Sequence, residues 1–426
     1  MSDLSANAKK AKEASLVLAC LDKDTKNNAL EVISEALKEN KDRIVEANLK
    51  DLALAEETGL ASPLLKRLKF EENKLNDVRE GIKSLIALEE PVGRLTMHTT
   101  LDDGLELYKV TCPIGVIGVI FESRPDALVQ IASLCLKSGN GVILKGGSEA
   151  NNTNAVLADV IYNAGVGAGL PEGWLCLITS RSDVNEMLSL DQYIDLIIPR
   201  GSNAFVQYIM KNTTIAVLGH ADGVCHSYID SDCDKEKALK IVLDAKTQYV
   251  SVCNATETIL IDRKISDDIL PDLIKMFKEH NVEMFADSEI ASKYGLSETN
   301  DWHHEYLDYK VSLKLVDGVD DAIRHINTYG SGHTDAIITE NKEKADKFTL
   351  SVDSGCCLVN CSTRFSDGFR FGFGAEVGVS TSKLHARGPV GLDGLLSYKY
   401  KLIGNGDIVG DFASGKRTFK HIHHKI

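Results

Sequence analysis

Short apolar segments alternate with helix-like segments through the middle of the chain, and this alternation is the feature that most restricts the fold. The apolar segments, which predict five strands, span residues 116–120, 142–144, 175–179, 196–199 and 216–218. Helix-like segments lie between them at residues 127–137, 152–163, 183–188 and 204–211. This rhythm is typical of βαβ units, which cover both faces of a parallel sheet with helices. An α/β fold is therefore predicted.

The flanking regions predict further parts. Residues 1 to about 90 are predicted to be helical, because apolar residues recur at helical spacing, as at Ala29, Ile33, Ala36 and Leu37. Asp102-Asp103-Gly104 separates two strand-like segments and predicts a hairpin. A second α/β stretch runs from about residue 230 to about residue 360. The strand-like segment 395–403 lies far from the hairpin in sequence and is available to pair with a strand of a neighbouring subunit.

Composition excludes several classes of protein. The 426 residues are 43% hydrophobic and 26% charged, which is typical of a globular chain of two or three domains. A net charge of -14 argues against nucleic-acid binding, and no apolar run approaches the roughly 18 residues of a membrane span. Because the N-terminus lacks a signal-peptide pattern and the ten cysteines are scattered, we expect a cytoplasmic protein without disulfide or metal frameworks. The histidines at 421, 423 and 424 are expected to form a mobile tail with incidental metal affinity.

Two strand-to-helix turns are candidates for binding an anionic ligand. Lys145-Gly146-Gly147-Ser148 and Arg200-Gly201-Ser202 each follow a predicted strand and precede a predicted helix. Glycines allow close backbone approach, and helix N-termini offer free N–H groups. The alternative is an ordinary turn with an N-cap serine. The glycines at 165, 167 and 169 follow a helix-like segment instead of a strand, so they are interpreted as a helix C-terminal loop.

Cys253 is the candidate nucleophile. It lies just before a β-rich apolar run, where a thiol can face a cleft while the backbone is held by a strand. Access and a lowered pKa decide whether such a thiol attacks. The alternative is a buried and inert cysteine, which is the commoner situation.

Six segments in order along the chain carry a resemblance to a known family. They cover residues 113–125, 144–148, 198–203, 217–223, 253–254 and 372–381. Together they closely resemble the γ-glutamyl phosphate reductase family, a branch of the aldehyde dehydrogenase superfamily that acts in proline biosynthesis. The match extends over nearly all of the chain.

The resemblance implies an aldehyde-dehydrogenase-like α/β fold with a parallel-sheet dinucleotide-binding domain, an α/β catalytic domain and a β-ribbon for oligomerisation. The expected boundaries are 1–95 and 111–229 for the cofactor-binding domain with its N-terminal helices, 96–110 and 390–426 for the ribbon, 230–365 for the catalytic domain, and 366–389 for a segment returning to the cofactor domain and cleft.

The resemblance also implies residue roles. Cys253 becomes the nucleophile, Lys145 and Ser148 contact the adenosine ribose, and the Gly146-Gly147 turn lies beside them. The Arg200-Gly201-Ser202 loop is expected at the cofactor phosphates or nicotinamide, and Glu305 at the nicotinamide ribose. NAD-dependent relatives commonly carry a Glu near the position of Ser148. A serine beside Lys145 instead favours NADPH, with Glu149 next to it leaving the register open.

One departure from hydrolytic aldehyde dehydrogenases bears on mechanism. Those enzymes carry a Glu directly before Leu-Gly-Gly to activate water, whereas Val217 stands at that place here, before Leu218-Gly219-His220. Phosphate is therefore expected to leave or enter instead of water. The expected oxyanion donors are the Cys253 N–H and the Asn254 amide, with His220 as a proton donor or a backbone partner.

The implied reaction is reduction of L-glutamyl 5-phosphate by NADPH to L-glutamate 5-semialdehyde, in a homo-oligomer with glutamate 5-kinase as a candidate partner. Candidate contacts to the substrate, each with the alternative of a structural role, are Ser123, Arg124, Arg364, Arg370, Lys383 and His385. Rival interpretations are a hydrolytic aldehyde dehydrogenase, an inactive binding relative and a nucleotide-independent thiol acyltransferase.

Overall fold

Five helices begin the chain in the computed structural model, which describes residues 3–60, 62–122, 124–179, 182–219 and 222–426. They are α1 (Asp3–Leu18), α2 (Lys23–Glu39), α3 (Lys41–Glu57), α4 (Ser62–Leu68) and α5 (Glu72–Ala87). The Asp22 carboxylate caps α2 by accepting the Thr25 N–H at 2.8 Å, which satisfies one of the free donors at the helix start. The helical N-terminus predicted from apolar spacing is confirmed.

A hairpin follows, formed by β1 (Leu95–Asp102) and β2 (Leu105–Pro113). Gly104 in the turn has φ +76°, which glycine adopts without strain. The predicted Asp-Asp-Gly turn is therefore confirmed.

The first parallel sheet contains the five predicted strands. These are β3 (Val116–Ile120), β4 (Gly141–Lys145), β5 (Leu175–Ile178), β6 (Leu196–Pro199) and β7 (Ala216–Val217), in the order β5-β4-β3-β6-β7. The helices α6 (Pro125–Lys137), α7 (Asn151–Gly167), α8 (Ser182–Met187) and α9 (Asn203–Lys211) connect them. Because β4 and β6 lie on opposite sides of β3, the strand order reverses there, and open α/β sheets bind ligands at such a point.

The second parallel sheet has seven strands. They are β8 (Cys225–Ile229), β9 (Thr256–Asp262), β10 (Glu283–Ala286), β11 (Ser297–Glu298), β12 (Lys310–Val316), β13 (Thr334–Ile338) and β14 (Cys356–Val359), in the order β11-β10-β12-β9-β8-β13-β14. Its helices are α10 (Lys235–Thr247), α11 (Ser266–Glu279), α12 (Ser288–Tyr294), α13 (Val319–Tyr329) and α14 (Lys342–Ser351). Because β8 pairs with β9 and β13, it belongs to the second sheet. The domain boundary predicted between residues 229 and 230 therefore has to move to a position before β8.

The last part of the chain returns to the hairpin. A small antiparallel pair, β15 (Gly378–Ser380) and β16 (Gly388–Val390), precedes β17 (Leu396–Ile403), α15 (Val409–Ala413) and β18 (Ile422–His423). These complete a four-stranded ribbon in the order β17-β2-β1-β18. The strand-like segment near 395–403 thus pairs with β2 of its own chain, and the histidine tail, expected to be mobile, forms the opposite edge. Among the described helices, none is long and apolar enough to cross a membrane.

Candidate active site

Cys253 lies in the loop that joins α10 to β9, three residues before the strand begins. Its side chain is half-buried, whereas the following residue, Asn254, is buried. The predicted position of the thiol at the entrance of a strand is therefore observed.

The backbone of Cys253 is enclosed from behind by Gly223 and Cys225. A Cβ built on Gly223 lies 2.6 Å from the Cβ of Cys253 and closer still to its carbonyl oxygen, so no side chain fits at residue 223. The Cys225 thiol donates to the Cys253 carbonyl oxygen at 3.1 Å. Burial raises the pKa of Cys225, so this second thiol keeps its proton. The backbone of Cys253 is thus held in place from behind.

A buried network fixes the residues beside the thiol. The Asn254 amide donates from Nδ2 to the Ser366 carbonyl oxygen at 2.7 Å, and its Oδ1 accepts a hydrogen bond from Arg364. The Arg364 Nε also donates to Gln248 Oε1 at 2.9 Å. Arg364, expected to contact the substrate, is therefore only 8% exposed and holds Asn254 in place.

A second arginine approaches the thiol from the first sheet. Burial lowers the pKa of Arg200, the Arg124 charge lowers it further, and the nearby Glu376 and Cys253 oppose the shift. Arg124 pairs with Asp126 at 2.9 Å. Arg200 is part of the loop expected at the cofactor, and its charge therefore interacts electrostatically with Cys253.

Glu376 is a half-buried carboxyl group that interacts electrostatically with Arg200. It accepts the Gly368 N–H at 2.7 Å. Burial raises its pKa, while the Gly368 N–H and Arg200 partly offset that shift. Gly378, two residues later, lies against Arg200, since a Cβ there is 3.9 Å from the Arg200 Nε.

The two glycine turns lie at the carboxyl ends of β4 and β6, on either side of β3. Lys145 is buried and donates from Nζ to the Gly146 carbonyl oxygen, while Ser148 is exposed at the start of a 3-10 turn, Ser148–Ala150. The Glu149 side chain folds back over Gly147, so a side chain at residue 147 collides with it. These backbones and free N–H groups fit a dinucleotide phosphate chain.

The turn after β6 is equally open. Gly201 and Ser202 are exposed, and a Cβ on Gly201 lies 3.2 Å from the Glu122 carboxyl carbon. Asn203, at the start of α9, donates from Nδ2 to Glu305 at 3.3 Å and also to Asp222. Glu305 belongs to the second sheet's half of the chain, so this contact brings it to the cofactor turn.

The match to known proteins decides the family. The model of the aldehyde dehydrogenase family matches residues 1–291 of the chain. The chain belongs to the aldehyde dehydrogenase family.

Within that family the chain groups with the γ-glutamyl phosphate reductases. It is 64% identical to the γ-glutamyl phosphate reductase of Ruminiclostridium cellulolyticum, over 96% of this chain and 95% of the relative. It is 61% identical to that of Pelotomaculum thermopropionicum, over 98% and 97%. The crystal structure of γ-glutamyl phosphate reductase from Thermotoga maritima superposes with a TM-score of 0.93 at 38% identity, covering 96% of this chain and 100% of that one.

These comparisons confirm the resemblance and the aldehyde-dehydrogenase-like α/β fold. An acetylating aldehyde dehydrogenase from Geobacillus thermoglucosidasius, at 16% identity and a TM-score of 0.66, shares the fold alone. Membership in an oxidoreductase family of this kind implies a nicotinamide dinucleotide cofactor. The turns at Gly146 and Gly201 and the Glu305 contact fit that group.

The remaining predicted site residues have different outcomes. Ser123 and His220 lie outside the described residues. Arg370 is at the rim, where it donates to the Arg364 carbonyl oxygen at 2.8 Å. Lys383 forms an ion pair with Asp353, which is the structural alternative stated for it, and its contact with the substrate stays a prediction.

His385 is also engaged by protein groups. Its Nε2 lies 3.0 Å from the Gly394 carbonyl oxygen, and the residue lines a cavity of about 620 Å³ with Arg94 and Phe373. Arg387 joins Lys383 on the Asp353 carboxylate at 2.9 Å. The positive charges of the 383–387 segment are therefore used largely for packing this segment against Asp353.

Sequence reasoning missed Gly223, Gln248, Asn203 and Glu376 as parts of the site. Gly223, Asn203 and Glu376 stood within the recognised motifs, so the motifs contained a signal that was not used. Gln248 acts through a contact with Arg364 across the chain, and nothing in its local sequence marks that contact.

Proposed function

We propose that the protein catalyses NADPH-dependent reduction of L-glutamyl 5-phosphate to L-glutamate 5-semialdehyde, with release of phosphate, in proline biosynthesis. The observation that carries this proposal is that two arginines, Arg200 and Arg364, each interact electrostatically with Cys253 in a chain of net charge -14. Both arginines act on the thiol electrostatically, so positive charge is concentrated where an acyl phosphate has to react. The names of relatives at 60% identity and above support the same substrate.

The first chemical step is attack of the Cys253 thiolate on the acyl carbon. The carbon–sulfur bond forms, the carbon–oxygen bond to phosphate breaks, and phosphate leaves with the bonding electron pair. Arg200 is suited to stabilise the departing charge, because guanidinium groups bind phosphate oxygens in a bidentate manner. Arg124, whose side chain is 42% exposed, is suited to bind the phosphate as it enters or leaves.

The tetrahedral oxyanion is assigned to the Cys253 N–H and the Asn254 amide. One hydrogen of Asn254 Nδ2 is used by Ser366, which leaves the second hydrogen for the oxyanion, and Arg364 fixes the amide orientation. Loss of one such donor costs roughly 3 to 4 kcal/mol of barrier. A prearranged amide is effective because no reorganisation is needed when charge develops.

The cofactor, when bound, supplies hydride to the thioester. Collapse of the resulting thiohemiacetal then breaks the carbon–sulfur bond, releases the aldehyde and returns the thiol. We assign the adenosine ribose to Lys145 and Ser148, the phosphates to the turns at Gly146, Gly147, Gly201 and Ser202, and the nicotinamide ribose to Glu305. His220 remains the predicted proton donor.

We propose that phosphate, and not water, accepts the acyl group in the reverse reaction. Val217, at the end of the first sheet, provides no base where hydrolytic relatives carry a carboxylate. The preference for NADPH over NADH is supported by Ser148, which adds no negative charge beside Lys145.

Assembly, location and partner are also proposals. The outer edge of β17 is exposed along Tyr398, Tyr400, Leu402 and Ile403, which suits pairing with another copy of the chain in a homo-oligomer. We propose a cytoplasmic enzyme that receives its unstable acyl phosphate from glutamate 5-kinase.

The test is reduction of NADP⁺ with glutamate 5-semialdehyde, with and without phosphate. The proposal expects a rate that depends on phosphate and is much lower with NAD⁺. A rate independent of phosphate identifies a hydrolytic aldehyde dehydrogenase and overturns the proposal, and equal kcat/KM for the two cofactors overturns the assignment of NADPH.

A further inference from the structure

Three ligand-bearing side chains meet on the ribbon, remote in sequence from Cys253. His98 is on β1, Glu106 is on β2, and His424 follows β18. One ligand atom from each lies within 4.8 Å of the others, and among the described residues this is the one group of three or more His, Cys, Asp or Glu side chains that meets this condition.

Backbone pairing, and not chance contact of a loose tail, brings the third residue to the other two. The His424 N–H donates to the His98 carbonyl oxygen at 3.1 Å, and the Lys420 N–H donates to that of Leu101 at 2.7 Å. Arg417 adds an ion pair with Asp102 at 2.6 Å. The pairing register of the C-terminal strand therefore places His424 opposite His98.

The side chains are already arranged around one point. The His98 Nε2 lies 2.8 Å from Glu106 Oε2, and the Thr100 hydroxyl lies 2.7 Å from His424 Nε2 and 2.8 Å from the same carboxylate oxygen. The rings of His98 and His424 stack at 4.1 Å, and Tyr108 packs on the other face of His98 at 4.5 Å. A cation bound among these side chains would take the place of the protons that now link them by hydrogen bonds.

We propose that His98, Glu106 and His424 bind a divalent transition metal such as Zn²⁺ or Co²⁺, with water or Thr100 in the remaining position. Two imidazoles and one carboxylate with an open position are a donor set that such metals use in proteins. The cation fastens the C-terminal strand to the hairpin at the edge of the ribbon opposite β17. The site adds to the proposed enzymatic function and does not depend on it.

The binding test uses the full-length protein after treatment with EDTA. Co²⁺ is titrated and its absorption recorded, because histidine–carboxylate ligation gives ligand-field bands without the strong thiolate charge-transfer band that cysteine ligation produces. Zn²⁺ binding is measured by calorimetry on the same samples. We expect one equivalent to bind.

The variants His98→Ala, Glu106→Gln and His424→Ala are each expected to weaken binding by at least ~10-fold. His421→Ala is the matched control, since this tail histidine stacks on Phe419 and lies outside the group. If His98→Ala fails to fold, His424→Ala is sufficient for the test, because residue 424 lies beyond the last strand. Absence of binding, a thiolate band, or equal loss in His421→Ala overturns the proposal.

A proteolysis experiment tests the structural consequence. Bound Zn²⁺ is expected to slow tryptic cleavage after Lys420 in the unmodified protein and to have no effect in His98→Ala. Equal protection in both proteins contradicts a metal that joins the tail to the hairpin.

Discussion

The two parallel sheets hold their functional loops in different ways. At the first sheet, the turns after β4 and β6 contain glycines and exposed serines, so their backbone is accessible to a ligand. At the second sheet, the loop before β9 is fixed by side chains, with Asn254 bonded to Ser366 and Arg364, and with Gly223 pressed against Cys253.

The difference corresponds to two tasks. A dinucleotide has to enter and leave, so its binding turns remain open to solvent and contribute mainly main-chain donors. A covalent nucleophile has to meet its target within a fraction of an ångström, so its backbone is fixed from several directions. Changes at the second sheet should therefore reduce catalysis, and changes at the first should redirect cofactor choice.

The sharpest test of the comparison is Cys253→Ala. Reduction of the acyl phosphate is expected to fall by at least ~10⁴-fold, because the covalent step is lost while the first sheet is untouched. NADPH affinity, measured by fluorescence titration, should be unchanged. Cys20→Ala, at an exposed cysteine, serves as the control for removing a thiol, and substantial residual turnover in Cys253→Ala contradicts the assignment of the nucleophile.

The buried support of β9 gives the next largest effect. Lys246 Nζ lies 2.7 Å from Glu257 Oε2, and both side chains are fully buried. Lys246→Met leaves Glu257 without its partner and is expected to lower the free energy of unfolding by about 3 to 5 kcal/mol at pH 8, measured by urea denaturation.

The loss should be smaller at pH 6. Burial raises the pKa of Glu257 to about 7, above its unfolded value of roughly 4.3. A group with a raised pKa stabilises the folded state while it is protonated, and this stabilisation is lost as the pH rises through about 7. At pH 6 Glu257 is therefore protonated, and its burial without the Lys246 charge costs less. Lys237→Met, which breaks an exposed pair with Glu340, should change stability little at either pH. A pH-independent loss in Lys246→Met contradicts this account.

Gly223→Ala tests the enclosure of the nucleophile directly. The added methyl group collides with the Cys253 backbone, so kcat is expected to fall by about 100-fold while NADPH affinity is retained. Gly219→Ala is the matched control, because its Cβ meets Pro199 at an ordinary distance of 3.6 Å. Equal effects of the two substitutions on kcat contradict a specific role for the close approach at residue 223.

Cofactor choice should respond to charge at the first sheet. Ser148→Glu places a second carboxylate beside Glu149 and is expected to shift the kcat/KM ratio about tenfold toward NADH, since like charge repels the 2′-phosphate. Glu149→Gln should shift the ratio in the opposite direction. Steady-state rates with both cofactors give the ratio, and an unchanged ratio in Ser148→Glu places the 2′-phosphate elsewhere.

Much of the fold was predictable because local patterns and tertiary packing agree. The five strands of the first sheet were predicted within one residue at each end, since each contains a short apolar run, and β3, β4 and β6 are buried along their whole length. The boundary near residue 229 was misplaced because β8 follows β7 with no change of rhythm. Strand pairing, which assigns β8 to the second sheet, is a non-local property.

The site divides in the same way. Cys253, Asn254 and the two glycine turns were predictable from motifs and from their position at strand ends. Arg364 was not, because a buried guanidinium that bonds Asn254 and Gln248 has the same local sequence as one that binds a ligand. The ion pair of Lys383 with Asp353 could not be predicted from the sequence either, because the two residues are thirty positions apart.

The close passage of residue 223 behind the nucleophile limits how this scaffold can be engineered. A designer who wants to accept a bulkier acyl group has no freedom at residue 223, where even one methyl collides with the Cys253 backbone. Space has to be gained elsewhere, for example at Phe369, whose side chain is exposed and takes no part in the close approach at residue 223.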